Sequence, residues 1–215
     1  MLLASETIEI NPAIDFATLD NRLMRLPLWR RRMAMSFARD IDCLQSVMSY
    51  ELLAKMLHDT LRIPPGTFTI EYGTTGKPAI AGRHDIHISL SHCDRAVMAA
   101  VADCPVGCDV EAITTDTAAA MSQTIDYCFS PRERRAILQA SDPEVEFIKI
   151  WTVKEAVFKL DNDIDIETLD TTALSRRFNI KSTVTPAFIS TVATLNTRPY
   201  SQLRELGFKR SINLR

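Results

Sequence analysis

The sequence has no excess of positive charge, no paired cysteine motif and no long apolar run, and each lack closes off a class of protein. Its 25 Lys and Arg residues against 27 Asp and Glu leave a formal charge of −2 over 215 residues, which argues against a dedicated nucleic-acid binder. Five cysteines (Cys43, Cys93, Cys104, Cys108 and Cys128) are odd in number and show no C-x-x-C spacing, so neither a disulfide framework nor a zinc ribbon is indicated and a reducing cytoplasm fits best. No stretch approaches the roughly 20 apolar residues of a membrane span. The start "MLLASETIEI" lacks a basic segment followed by an apolar run of signal length, and the expectation is a soluble, cytoplasmic protein with no membrane partner.

What is present suffices for a sizeable core: 46% of residues are hydrophobic and 24% charged, enough for one large domain or two small ones. One local exception to the even charge balance is the window holding Arg22, Arg25, Arg30, Arg31, Arg32 and Arg39, which contains no acidic residue. Two readings stand open: a solvated face, or a patch for phosphate or an acidic partner.

Residues 41–59 place Ile41, Leu44, Val47, Met48, Leu52 and Met56 at helical spacing and predict an amphipathic helix. "RIPPGTF" breaks it, and Phe68, Ile70 and Tyr72 alternate as a short strand before the turn "GTTGKP". Residues 85–103 predict a hairpin, with Ile86, Ile88 and Leu90 on one face, His87, Ser89 and Ser91 on the other, and a bend at 93–95. "CPVGCDVE" adds a third strand whose inward residues are Val106, Cys108 and Val110, leaving Gly107, Asp109 and Glu111 on its polar face. Residues 112–126 show little periodicity and read as the connection between two halves. "SPRE" at 130–133 has the form of a capping box, Asp142 and Pro143 start a second helix running to about Leu160, and "RRFNIKS" and "PAFISTVAT" look like strands. The last residues are ambiguous, and no internal repeat is visible.

Asp109 and Glu111 project from one strand face with α-carbons roughly 6.6–6.8 Å apart, close enough for their carboxylates to converge on a hard divalent ion such as Mg²⁺. Gly107 beside them leaves room for a ligand. Acids at a strand end also commonly just face water. In "WTVKEAVFK", Trp151, Glu155 and Lys159 share one helical stripe with Lys154 beside it. An ordinary Glu–Lys helix pair would account for part of this; the size of Trp151 pulls the stripe inward and suggests a third carboxylate with two cations for phosphates. Ser91 and His92 sit where the hairpin turns. His84, His87 and His92 do not read as a zinc site, because no cysteine or carboxylate joins them at a metal spacing.

Taken together, "GKP" at 76–78, "SLSH" at 89–92, "VGCDVE" at 106–111 and "WTVKEAVFK" at 151–159 resemble the 4′-phosphopantetheinyl transferase superfamily, of the surfactin-synthetase-activating type. The resemblance implies an α+β fold of two similar halves forming an intramolecular pseudo-dimer, here 1–112 carrying the GKP, SLSH and DVE motifs and 113–215 carrying the WTVKEAVFK helix. It implies Asp109, Glu111 and Glu155 as Mg²⁺ ligands, Lys77, Ser91 and His92 on the phosphates of coenzyme A, Lys154 and Lys159 on the pyrophosphate, and Glu155 with Lys159 as the catalytic pair. The implied reaction is that of a holo-acyl-carrier-protein synthase: transfer of phosphopantetheine from coenzyme A to a serine of an apo acyl or peptidyl carrier protein, by a monomer that binds no nucleic acid. Where the family often has an arginine for the 3′-phosphate this chain has Gln45, and after Lys159 it continues "LDNDIDIE" rather than with a glycine turn. The alternatives are a silent relative that binds coenzyme A or a carrier without transfer, and an arginine-led binding module.

Overall fold

The computed structural model describes residues 2–164 and 170–196, so the ambiguous end of the chain and part of the acidic segment after Lys159 lie outside the described residues. Strand β1 (Leu2–Glu9) leads into helices α1 (Pro12–Arg25), α2 (Leu28–Ala34) and α3 (Asp40–Leu61). Short strands β2 (Ile70–Tyr72) and β3 (Pro78–Ile80) and the hairpin β4 (His87–Cys93) and β5 (Ala96–Ala102) follow. The second part runs β6 (Val106–Ala112), α4 (Thr117–Cys128), α5 (Pro131–Gln139), α6 (Pro143–Leu160), α7 (Thr171–Arg177), β7 (Phe178–Val184) and β8 (Phe188–Leu195). The fold is α+β, with two antiparallel sheets ordered β1-β5-β4-β3-β2 and β6-β8-β7.

Strand β5 shows why the layers form. Val97, Ala99 and Val101 pack with α3 residues such as Leu44, Val47 and Leu57. Ala96, Met98, Ala100 and Ala102 face the other way, against Val106, Cys108, Val110, Phe188 and Val192 of the second sheet. All seven residues are buried, because the strand is covered on both faces and only side-chain size, not polarity, alternates. The alanines on the inter-sheet side let the sheets approach closely. Beyond the second sheet, Ala156, Val157 and Leu160 of α6 pack with Leu174, Phe178 and Ala193, completing the order α3, first sheet, second sheet, α6.

Three expectations are corrected. Strand β6 pairs with β8, not with the hairpin, so the DVE motif belongs to the second sheet. Residues 112–126 are not a bare connection: α4 begins at Thr117, its run of alanines supplying helix propensity without the apolar stripe that reveals a helix in sequence. The arginine window is neither a wholly solvated face nor a free patch, since half of its arginines are engaged within the fold. Arg22 pairs with Asp15 and Glu51, buried Arg30 donates to the Ser46 carbonyl and hydroxyl, Arg31 donates to the Leu23 and Met24 carbonyls, and Arg39 forks onto Asp42. The bonds of Arg22, Arg30 and Arg31 tie α1, α2 and α3 together, while Arg25, Arg32 and Arg39 stay exposed.

The two sheets share a plan that no residue repeat announces. In each, the first strand in the chain pairs with the last, and the last with the strand before it: β1-β5-β4 and β6-β8-β7. Lys55, four residues after Glu51 on α3, reaches Glu6 of β1 at 2.9 Å; Lys159, four after Glu155 on α6, reaches Asp109 of β6 at 2.6 Å.

Candidate active site

Helix α6 is held close to β6 by a missing side chain. A Cβ on Gly107 would collide with the carbonyl oxygen of Ala156 and lie 2.5 Å from the nitrogen of Leu160. Gly107 therefore admits the helix backbone rather than a ligand, a correction with a consequence: the helix lies low enough for Glu155 and Lys159 to reach the strand carrying Asp109 and Glu111.

Asp109 is 2% exposed. Its Oδ1 accepts from Lys159 Nζ at 2.6 Å and from the Ser91 hydroxyl at 2.8 Å, while its Oδ2 is buried with no hydrogen-bond partner. Ser91 also accepts from Lys159 Nζ at 3.0 Å and from the Val110 amide at 3.3 Å, and its neighbour Ser89 accepts from the Cys108 amide. Hairpin β4 thus reaches across the seam between sheets to orient β6. Ser91 does so with a buried hydroxyl that is bonded to Asp109.

The remaining acids feel one another. Burial, then the charges of Asp109 and Glu155, push the Glu111 carboxyl up to about 7, against the pull of Lys159 and a hydrogen bond from Trp151. Burial and Asp109 likewise raise Glu155, with Lys159 opposing. Burial alone would lower the Lys159 ammonium, but Asp109 and Glu155 outweigh it and the group is held above its ordinary value. Desolvation, then Lys159, lowers His92, against Asp42, Asp94 and Asp109.

Among the described residues no three His, Cys, Asp or Glu side chains stand gathered tightly enough to hold a metal ion. At Asp109 the Lys159 ammonium supplies the positive charge that a bound cation would otherwise bring. The donor set nonetheless fits a hard divalent ion: carboxylates only, two of them raised by burial and then by the charge of Asp109, and on the third a buried oxygen lacking any donor.

Beside these groups a cleft of about 270 Å³ opens between the Lys77 turn, β4 and α6, lined by Lys77, Ser89, Leu90, Glu155, Phe158 and Lys159. Lys77 Nζ donates to the last carbonyl of α6, that of Leu160, at 2.8 Å. A family model described as the 4'-phosphopantetheinyl transferase superfamily matches residues 105–201. This stretch is similar to that superfamily.

The chain is 31% identical over 134 residues to a 4'-phosphopantetheinyl transferase of Bacillus pumilus, covering 61% of this chain and 55% of the relative. It is 31% identical over 121 residues to one of Aneurinibacillus migulanus, with 55% and 48% covered. To one of Bacillus subtilis it is 25% identical over 146 residues, with 65% and 62% covered. The matches span about half the length of these relatives. The superfamily region begins just before β6, in agreement with the boundary between sheets, and contains Asp109, Glu111, Glu155 and Lys159.

Lys154 is the member of the predicted set that the structure turns away. Its side chain is 1% exposed and its Nζ lies 3.0 Å from Glu133 of α5, over the ring of Phe129; it cannot serve a pyrophosphate in the cleft. Glu133 was legible in sequence only as the capping-box acid, which it is, and nothing in the chain signals its second bond to Lys154. Gln45 is buried and donates to Asp94 at the hairpin tip.

Proposed function

We propose that this chain transfers the 4′-phosphopantetheine group of coenzyme A to a serine of an apo acyl or peptidyl carrier protein, releasing adenosine 3′,5′-bisphosphate. The observation that carries the reading is the unpartnered, buried Oδ2 of Asp109 beside Glu111, Glu155 and Lys159 at a cleft edged by Lys77.

Asp109, Glu111 and Glu155 would hold Mg²⁺, with Lys159 giving up its bond to Asp109. The ion, when bound, supplies positive charge against the pyrophosphate. Lys77 and Lys159 would present ammonium groups to phosphate oxygens from two sides of the cleft, and His92, on the strand that lines it, would add a further phosphate contact. Ser91 holds Asp109 in place. Glu155, raised by its buried setting, is suited to accept the proton of the carrier serine. The freed oxygen then forms a bond to the β-phosphorus as the phosphoanhydride bond breaks and the adenosine bisphosphate takes the electron pair. This chemistry needs no nucleophile from the chain, and its burden is positioning and charge stabilisation.

The Lys159–Asp109 bond favours one rival, a relative that binds coenzyme A or a carrier and transfers nothing, since the lysine already neutralises Asp109. Incubation with coenzyme A, Mg²⁺ and an apo carrier, read by intact mass, separates the two. Addition of one phosphopantetheine, lost in Asp109→Asn, supports the transferase; an unmodified carrier with retained coenzyme A binding supports the rival.

A further inference from the structure

Lys154 and Glu133 form a fully internal ion pair that none of the chemistry above uses. Glu133 is 3% exposed and carries more than one duty: Oε2 accepts from the Ser130 amide at 2.9 Å and meets Lys154 Nζ at 3.0 Å, and Oε1 accepts from the Thr171 amide at 2.7 Å. One carboxylate therefore joins the N-terminus of α5, the middle of α6 and the first residue of α7. Two charges withdrawn from water this far are tolerated only when each satisfies the other and the remaining lone pairs are bonded, which makes the pair intolerant of displacement.

Its place on α6 gives that rigidity a use. Lys154 immediately precedes Glu155, about 100° away around the helix, so a side chain locked on one flank sets the direction in which Glu155 and Lys159 leave the other. The opposite constraint is the Ala156 carbonyl seated on Gly107. Contact with a strand fixes the depth of a helix more firmly than its rotation about its own axis; an ion pair on the flank fixes the rotation.

We infer that Lys154 is a positioning residue: through Glu133 it sets the azimuth of α6 and so aims Glu155 and Lys159 at Asp109 and the cleft, without touching ligand. The inference rests on the transferase reading for its kinetic consequence, while the coupling of the two side chains can be read without any activity.

The test is a double-mutant cycle with Lys154→Met, Glu133→Gln and the combination, following melting temperature and steady-state transfer. Lys154→Met strands a buried carboxylate; it lowers the melting temperature and reduces kcat at least tenfold, with KM for coenzyme A changed less than twofold. The combined variant removes both charges, and recovers at least half of the lost melting temperature together with at least a fivefold gain in kcat over Lys154→Met. Where Lys154→Met does not fold, the combined variant and Glu133→Gln carry the test: the combined variant is the more stable and the more active of the two. The proposal is overturned by a combined variant that regains stability but no kcat, by a tenfold rise in its KM for coenzyme A, by non-additivity absent from the melting temperatures, or by a Lys154→Met protein with unaltered stability and rate. If the unaltered protein transfers nothing, the transferase reading fails, and the melting temperatures alone still decide whether the pair is coupled.

Discussion

The ammonium of Lys159 stands 2.6 Å from Asp109 Oδ1, and the other oxygen of that carboxylate is buried with no partner. Such a carboxylate is half neutralised: one oxygen is bonded, and the other awaits a donor or a cation. Lysine and metal compete for the same charge.

Replacing Lys159 by Met should therefore separate binding from chemistry. Transfer falls by roughly 10²-fold or more, in the range found when one donor to developing negative charge is removed. Affinity for Mg²⁺ rises, because Asp109 no longer has an internal counter-ion, and the melting temperature becomes steeply dependent on Mg²⁺ concentration. Thermal melts across a magnesium series check this; a variant whose melting ignores magnesium contradicts it.

Ser91→Ala should act through Asp109. The hydroxyl bonds both the carboxylate and the Val110 amide, and loss of a group that orients a ligand typically costs about 10–100-fold in metal affinity or activity. The effect should appear as a raised magnesium requirement with the KM for coenzyme A little altered. A large rise in that KM would instead return Ser91 to the phosphates.

Gly107→Ala should be among the most damaging single-methyl changes in the chain. The new Cβ meets backbone of α6, not a flexible side-chain tip, so the helix must lift. Overpacking of this kind costs about 1–3 kcal/mol and sometimes more, or several degrees in melting temperature for a domain of this size. Transfer should be lost even well below the melting transition, since Glu155 and Lys159 travel with the helix. Calorimetry paired with an activity assay at low temperature distinguishes this from simple unfolding.

The Glu111 carboxyl, pushed up to about 7 in the fold from an ordinary 4.5, gives a pH signature. The folded state holds this proton more tightly than the unfolded chain, so the associated stability is complete below 4.5 and disappears as pH rises through 7. Glu111→Gln keeps the neutral form at every pH. Without divalent ions the variant should match the parent near pH 4 and melt higher than it above pH 7. Magnesium, which needs the carboxylate ionised, should bind the parent more tightly as pH rises through 7.

Much of this was legible in the chain, for physical reasons. The helix at 41–59 follows from its apolar spacing, although residues 43–50 are buried on every side rather than along one face, and that at 142–160 follows from Asp142 and Pro143 at its start. Asp109 and Glu111 declare themselves as acids at alternate positions on an otherwise apolar strand. What stayed hidden depends on distant partners. Nothing local says that β6 joins β8, because a strand apolar on one face accepts either neighbour. Nothing local separates Lys154 from Lys159, since both are lysines on one helix until Glu133 claims the first and Asp109 the second. Gly107 looked like space for a ligand because sequence does not reveal which backbone fills it.

The matching lysine bonds, Lys55 to Glu6 and Lys159 to Asp109, show what the shared plan of the two sheets does not supply. Glu6 lies on β1, an edge of its sheet, and its lysine is half open to water. Asp109 also lies on an edge strand, yet Ser91 of the other sheet's hairpin bonds it. The setting of Asp109 is thus an emergent property of assembly: a fragment beginning at Pro105 would contain every acid of the proposed metal site and lack the hydroxyl that holds Asp109 in its direction.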